Sequence, residues 1–440
     1  MPGPLSGFWV LDLSRILAGP WASQMLADLG AEVIKIERPG SGDDTRAWGP
    51  PFLTAPDGSA TQESAYFLAA NRGKRSVAID FCTPEGQRLV QALAAKSDVL
   101  IENYKVGGLQ KYGLDYASLS AADPKLIYCS ITGFGQTGPL ATRPGYDFLL
   151  QGMGGLMSIT GEPDGEPQKV GVAVVDILTG LYACSAILAA LVHRQATGQG
   201  QWIDLALLDV QIATLANQAS SFLVSGEQPR RLGNAHPSIV PYEAYPTSDG
   251  YIIVAVGNDE QFARFAAAVG EPSLARDQQF ATNPARVRNR DALKPILRAL
   301  LAGQPTEIWL TVLGAAGVPC GPVNGVRAAL DEPQVQARGM LHELQHPTAG
   351  RYRSIGSPMR FSATPVEDDR AAPLLGADTD HLLQEVLGIA GAELIALRQA
   401  GVLGKRPELP VTPPPARPAA SPASPAPRSP PHRTRPAPGP

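Results

Sequence analysis

The first half of this chain alternates short apolar runs with amphipathic ones, and that rhythm restricts its fold more than any other feature. Residues 8–13 form an apolar run that suits a buried strand. Residues 21–29 have helical spacing and stop at Gly30. Residues 32–36 and 75–81 read as strands. Thr83 offers an N-cap and Pro84 suits a first helical position, so the spacing predicts a helix over 84–96. Strands follow at 98–101 and 126–131. Strand and helix in this order imply an α/β fold with a mostly parallel sheet and helices on its faces.

Further along, residues 176–195 form a long apolar helix ending near Gly198, then a strand at 201–207 and a helix at 210–223. A polar break over 225–238 opens a second unit. There, segments 242–246 and 251–256 flank Thr247-Ser248-Asp249-Gly250, a hairpin signal. Helices near 259–269 and 306–316 complete it. The expected organisation is a large domain begun by residues 1–224, a small α+β domain at 225–325, and a return segment at 326–405. Residues 406–440 hold 14 prolines and few large apolar side chains, so they are expected to be a disordered tail.

Charge narrows the function. The formal net charge is −4, which supplies no global basic field for nucleic acid. The tail carries five Arg and one Glu, a net of +4, and this leaves −8 on residues 1–405. The N-terminus lacks a basic start and apolar core of the signal-peptide kind. The longest apolar stretch, 177–192, falls short of the roughly 20 residues of a membrane span. A cytoplasmic protein with no membrane partner is expected. Cys82, Cys129, Cys184 and Cys320 show no CxxC spacing and read as buried thiols in a reducing compartment.

Two motifs are deceptive. His342-Glu343-Leu344-Gln345-His346 matches HExxH, which binds zinc when it lies on a helix. Gly339 and Pro347 leave little room for that helix, so no metal is expected and the histidines read as solvated. Gly133-Phe134-Gly135-Gln136-Thr137-Gly138 matches GxGxxG after a strand. Pro139 and Pro144 interrupt the helix that a dinucleotide site needs, so the loop reads instead as backbone brought close to a ligand.

Two other features carry chemistry. Asp176 is an acid inside an apolar run at the start of a helix. It reads either as an N-cap or as a nucleophile whose ionised form the helix dipole sustains. Basic residues also lie near predicted strand ends: Arg38 after a strand, Arg72, Lys74 and Arg75 in AANRGKRS, and Lys105 and Lys111 in IENYKVGGLQKYG. Gathered on one sheet edge, they would hold a phosphorylated nucleotide.

From about residue 5 to 405 the chain resembles the class III CoA-transferases, the family of formyl-CoA and carnitine-CoA transferases. The segments that carry the resemblance are VLDLSRILAGP (10–20), GAEVIKIERPGSGDDTR (30–46), NRGKRS (71–76), IENY (101–104), SITGFGQTGP (130–139), RPGYD (143–147), VVDILTG (174–180) and TGQGQWIDLALLD (197–209). It implies a Rossmann-like large domain, a smaller domain and an interlocked homodimer. It also implies that coenzyme A or an acyl-CoA binds as substrate, with no permanently bound cofactor. Asp176 inherits the role of covalent nucleophile, forming an aspartyl anhydride and then an aspartyl-CoA thioester. CoA contacts carry over to Leu17, Ala18, Arg38, Asn71, Lys74, Asn103, Tyr104, Lys111, Arg143 and Tyr146. Leu17 departs from the polar residue of the formyl-CoA branch, and Lys111 stands where arginine is common. The glycine-rich flap of the formyl-CoA enzymes is absent, which points away from formyl-CoA and oxalate.

GNAHPSIVPYEAY (233–245) and VAVGNDEQF (254–262) resemble the branch that uses succinyl-CoA and dicarboxylates. A second carboxylate on the acceptor needs a cation, and Arg46, Arg143 and His236 are candidates. Arg46 could instead pair with Asp43 or Asp44, and His236 could cap a turn. Backbone N–H groups of the 133–138 loop, Gly135 included, or of the Asp176 helix start are candidate oxyanion donors. Two other readings stand beside transfer. An acyl-CoA racemase would need a second proton carrier, and the family's racemases place His where this chain has Tyr146. A non-catalytic CoA-binding protein would leave Asp176 exposed or paired away from any cleft.

Overall fold

In the computed structural model, which describes residues 2–407, the alternating runs become a six-stranded parallel sheet. Its strands are β1 (Trp9–Asp12), β2 (Glu32–Glu37), β5 (Arg75–Ala78), β6 (Val99–Glu102), β7 (Ile127–Thr132) and β8 (Trp202–Ala206), in the order β5-β2-β1-β6-β7-β8. A hairpin, β3 (Phe52–Thr54) with β4 (Ala60–Ser64), interrupts the run between β2 and β5. The connections run outward from β1 in one direction and from β6 in the other. The β1/β6 seam is therefore a switch point, and a crevice opens there beyond the carboxyl ends of the strands.

Period-2 alternation assigns each strand residue to a face. Val10, Val33, Val99, Ile101, Ile127 and Cys129 point to one side and are buried with α1 (Ala18–Asp28) and α6 (Val174–Thr197). Leu11, Ile34, Val77, Leu100 and Tyr128 point to the other. There they meet α3 (Pro84–Ala94) and two C-terminal helices, Thr379–Leu387 and Gly391–Gln399. Thr83 caps α3 as its sequence predicts, accepting from the Gly86 N–H. The remaining first-half helices are α2 (Ala65–Ala70), α4 (Tyr116–Ala122), α5 (Asp147–Met153), α7 (Leu207–Thr214) and α8 (Ala216–Ser225). A separate apolar cluster over 240–318 is built on the antiparallel sheet β9 (Tyr242–Pro246), β10 (Tyr251–Ala255) and β11 (Cys320–Pro322). All but the first two residues of the proline-rich tail lie outside the described residues.

Three expectations change. The apolar helix α6 has 24 residues and a mean hydropathy of 2.0 over its most apolar window, so by length and composition it could cross a membrane. It begins two residues before Asp176, at Val174, and runs to Thr197, two residues past the expected end. One stripe of it, including Val175, Thr179, Ala183, Ile187 and Ala190, is buried in the core. HExxH lies on β12 (Leu341–His346), paired with β13 (Gly350–Ile355), and its histidines are not simply solvated. His346 is fully buried with Nε2 3.5 Å from Glu63, and His342 is 3.6 Å from Asp368. Strand alternation turns both inward, where a helix would have stacked them one turn apart. Finally, Cys129 and Cys184 are buried as expected, but Cys82 is exposed just beyond β5.

Helices α1 and α6 meet through Gly180. A Cβ there would lie 2.9 Å from the Ala18 carbonyl oxygen and 3.0 Å from Trp21 Cβ. Helix propensity alone favours Ala over Gly by about 1 kcal/mol. The contact is with backbone that cannot swing away, so packing should dominate. Gly180→Ala is expected to lower stability by about 1–3 kcal/mol in urea unfolding; a more stable variant would show that the α1–α6 seam is slack.

Candidate active site

The crevice at the switch point is a cavity of about 490 Å³. Its wall is made by turns that leave the strand ends. Arg15–Ala18 follow β1, Arg38 follows β2, Phe81 and Cys82 follow β5, and Asn103–Val106 with Lys111 and Tyr112 follow β6. Thr132 and Gly133 end β7, the 141–146 loop crosses above, and Asp176 enters from the first turn of α6.

The turn after β1 is braced from below by buried charges. Asp12 lies 3.1 Å from Lys74 Nζ and accepts from Ser23 Oγ at 2.6 Å. Lys74 also donates to the Pro20 carbonyl and to Asn71 Oδ1, each at 2.9 Å. Lys35 donates to the Ser14 carbonyl at 2.8 Å and lies 2.9 Å from Asp43. Asp43 in turn accepts the Ile16 N–H at 3.2 Å. Burial would raise the Asp12 carboxyl, but Lys74 and Lys35 together hold it down at about 2. Burial pushes Lys74 down to about 8, because Asp12 must serve two ammonium groups that repel each other. Above this cluster Ile16 has φ 72°, which a β-branched residue adopts only when its surroundings impose it. Asn103 completes the brace, accepting from the Arg15 N–H at 2.9 Å and donating to the Arg15 carbonyl at 2.7 Å. The N–H groups of Leu17 and Ala18, at the mouth of α1, have no acceptor among the described residues.

Ten of the expected residues line the cavity: Leu17, Ala18, Arg38, Asn103, Tyr104, Lys105, Lys111, Arg143, Tyr146 and Asp176. Arg38, Lys105, Lys111 and Arg143 have no carboxylate within 4.0 Å among the described residues. Phe81 packs edge-on against both Tyr104 and Tyr112, forming an aromatic wall beside the first three cations. Unneutralised cations next to aromatic rings suit a phosphorylated nucleotide.

Six expected residues do not line it. Asn71 and Lys74 belong to the buried brace. Arg72 is buried, donating to both oxygens of Asp28 at 2.9 and 2.5 Å and to the Ile355 carbonyl at 2.7 Å. Arg46 pairs with neither Asp43 nor Asp44. It grips Glu37 with two bonds of 2.7 Å and covers the Phe67 ring. His236 lies in the turn before β9, where its Nδ1 accepts from the Ser238 N–H at 3.0 Å. Gly135 N–H donates to Thr132 Oγ1 at 2.9 Å and the next N–H, of Gln136, to Asp204. Asn71 and Lys74 came from the family resemblance and the other four from charge or loop position, and neither source shows which way a side chain turns.

Asp176 is the third residue of α6, not its cap; Ala173 holds that place. Its surroundings also reverse the expected effect of the helix dipole. Burial, and then the charge of Asp147, push the Asp176 carboxyl up to about 7. Asp147 opens α5 and was quoted in RPGYD without a role. Its Oδ1 accepts the N–H groups of Val175 at 2.8 Å and Asp176 at 3.3 Å, and its Oδ2 accepts from Gln151 Nε2 at 2.7 Å. Both donor sets expected to receive an oxyanion are thus engaged elsewhere, at least in part. Arg15 was missed as well. It lines the cavity, lies over the Tyr104 ring and pairs with Asp44 at 2.9 Å. Its position directly after a strand at a sheet's carboxyl edge was the available signal.

The family model for "CoA-transferase family III" matches residues 5–379. A succinate–glutarate CoA-transferase of Agrobacterium fabrum is 52% identical over 383 residues, 87% of this chain and 96% of that protein. The human succinyl-CoA:glutarate CoA-transferase is 44% identical over 400 residues, 91% of this chain and 90% of its own. A crystal structure of a CAIB/BAIF family protein from Brucella suis is 51% identical, with a TM-score of 0.78 over 88% of this chain and all of that one. Sequence, fold and the cavity at the switch point lead to one assignment: the chain belongs to CoA-transferase family III and is an enzyme of that class.

Proposed function

We propose that this enzyme moves CoA from succinyl-CoA to a small dicarboxylate such as glutarate, through covalent intermediates on Asp176. One observation carries the reading: a half-buried carboxylate with no cationic partner stands on the wall of a cavity that also gathers unpaired cations. The names of the similar proteins support the substrate pair. A non-catalytic CoA carrier would have no use for a desolvated acid in that position.

The chemistry needs no general base, because both nucleophiles are anions. The Asp176 carboxylate attacks the thioester carbonyl of the donor. The C–S bond breaks, and the electron pair leaves on sulfur. This gives a mixed anhydride and CoA thiolate. The thiolate then attacks Cγ of Asp176, the anhydride C–O bond breaks, and succinate departs. The acceptor carboxylate runs the same steps in reverse. Each tetrahedral step places negative charge on a carbonyl oxygen, and the free N–H groups of Leu17 and Ala18 are the donors aimed into the cavity. Phosphates of CoA fall to Arg38, Lys105 and Lys111, and the adenine to the wall of Phe81, Tyr104 and Tyr112. Arg143, exposed and unpaired, takes the acceptor's unreacting carboxylate.

The working unit in this proposal is a homodimer. Leu181, Tyr182, Val192, Ile212, Leu223 and Val224 are exposed on α6–α8, a surface suited to a second copy. Four free thiols suit a reducing, cytoplasmic setting.

Hydroxylamine cleavage after incubation with succinyl-CoA should mark Asp176 in peptide mass spectrometry, and Asp176→Ala should abolish exchange while retaining CoA. Exchange in that variant would exclude the mechanism. Because only ionised Asp176 attacks, kcat/KM for succinyl-CoA should rise with pH through about 7. The same shift opposes folding as pH rises: the folded state keeps the proton up to about 7, and the unfolded chain releases it near 3.8. The stability gain of Asp176→Asn over the wild type should therefore be larger at pH 8 than at pH 5, by about 2 kcal/mol in denaturant titrations. Arg143→Met should raise KM for glutarate by about 10–100-fold, the worth of a charge-assisted bond, with little effect on a monocarboxylate. Equal losses for the two acceptors would assign Arg143 to CoA instead.

A further inference from the structure

Asp147 holds a place that its neighbours make hard to explain as packing alone. It caps α6 with one oxygen, accepting the Val175 N–H at 2.8 Å and the Asp176 N–H at 3.3 Å. Its other oxygen is fixed by Gln151, whose Oε1 is in turn held by the Val170 N–H at 2.8 Å. A neutral Asn or Ser would cap the helix as well. The structure instead puts a second carboxylate beside the one that the proposed mechanism uses. The other titratable group coupled to both acids is Tyr66 on α2. Arg143 and Tyr146 lie on the loop leading into α5, while Leu17, Ala18, Thr132, Gly133 and Leu207 bring no charge to the lining.

We propose that Asp147 is a positioning residue whose fixed charge favours covalent adducts on Asp176, because each adduct converts a carboxylate facing a carboxylate into a neutral acyl group. This rests on the reading of Asp176 as nucleophile. In the first half-step the Asp176 oxygen bonds to the donor carbonyl carbon, the C–S bond breaks, and the negative charge leaves with sulfur. In the second, sulfur bonds to Cγ of Asp176, the anhydride C–O bond breaks, and the charge leaves with the released acid. Asp147 gains and loses no proton. It acts by repulsion, raising the ionised enzyme relative to both the anhydride and the thioester. The same repulsion contributes to the raised proton affinity of Asp176, behind burial.

Asp147→Asn keeps the hydrogen-bond acceptor for both N–H groups and removes the charge; Asp147→Glu keeps the charge and lengthens the arm. Both are measured in the full-length enzyme by the pH dependence of kcat/KM. A second readout is the fraction of enzyme carrying CoA on Asp176 at equal succinyl-CoA and succinate, by intact-mass spectrometry. For Asp147→Asn the acid limb should move down by about one pH unit and the adduct-to-free ratio should fall about tenfold, one pKa unit being tenfold in either equilibrium. Asp147→Glu should return both toward the wild type. A purely structural cap would lower kcat or the melting temperature and leave the limb unmoved, so a limb and adduct ratio within about twofold of wild type in Asp147→Asn overturn the proposal. Should Asp147→Asn fail to fold, an Asp147→Glu enzyme that folds but has lost the wild-type limb would count against it in the same way. Absence of any adduct in the wild type would instead sink the nucleophile reading, a separate result.

Discussion

The cavity depends on four charges buried beneath the turn after β1. Asp12, Lys35, Asp43 and Lys74 have fully buried side chains, and between them they hold the carbonyls of Ser14 and Pro20 and the N–H of Ile16. Ion pairs of this kind add little net stability, because desolvation offsets attraction. Removing one partner leaves an uncompensated charge and costs about 3–5 kcal/mol, so the geometry is strongly enforced. It accompanies a positive φ at Ile16, and beside it Leu17 and Ala18, whose N–H groups have no acceptor among the described residues, line the crevice. Lys74, expected at the ligand, serves the scaffold instead, whereas Arg38, Lys105 and Lys111 line the cavity with no carboxylate within 4.0 Å among the described residues.

Around Asp176 the balance is different. Its half-buried carboxylate lies next to another carboxylate and has no cationic partner within 4.0 Å among the described residues. The arrangement destabilises the ionised form of Asp176, first through burial and then through the neighbouring charge. The fold tolerates the cost because the first turn is satisfied: Asp147 takes the N–H groups, Gln151 orients Asp147, and Gly180 lets α1 pack closely on α6. Residues of α1 and α6 and the loop into α5 thus converge on the cavity at one end of the sheet.

Much of this was legible along the chain. Alternating apolar runs identified five of the six parallel strands within a few residues, and the sixth was read at 201–207. The acid in VVDILTG, singled out as a cap or a nucleophile, lines the cavity and does not cap its helix. Rim cations such as Arg38, Lys105 and Lys111 were found because they follow strands whose carboxyl ends must face the crevice. Arg72 and Lys74, also near a predicted strand end, and Arg46, a candidate for the acceptor, instead have carboxylates beside them: Asp28, Asp12 and Glu37. HExxH misled for the opposite reason: residue identity matched, and strand periodicity removed the geometry.

What the sequence by itself determined is the part governed by local preference and burial: strand and helix order, the two apolar faces of the sheet, the helix that carries Asp176, and membership of the family. Only the tertiary structure decided which charges neutralise one another, which donors remain free, and how strongly Asp176 holds its proton. Those properties depend on distances between segments far apart in the chain, such as the 62 residues separating Asp12 from Lys74. They depend as well on how much water the assembled walls exclude. No window of sequence contains either quantity, because both arise when the sheet closes over its helices.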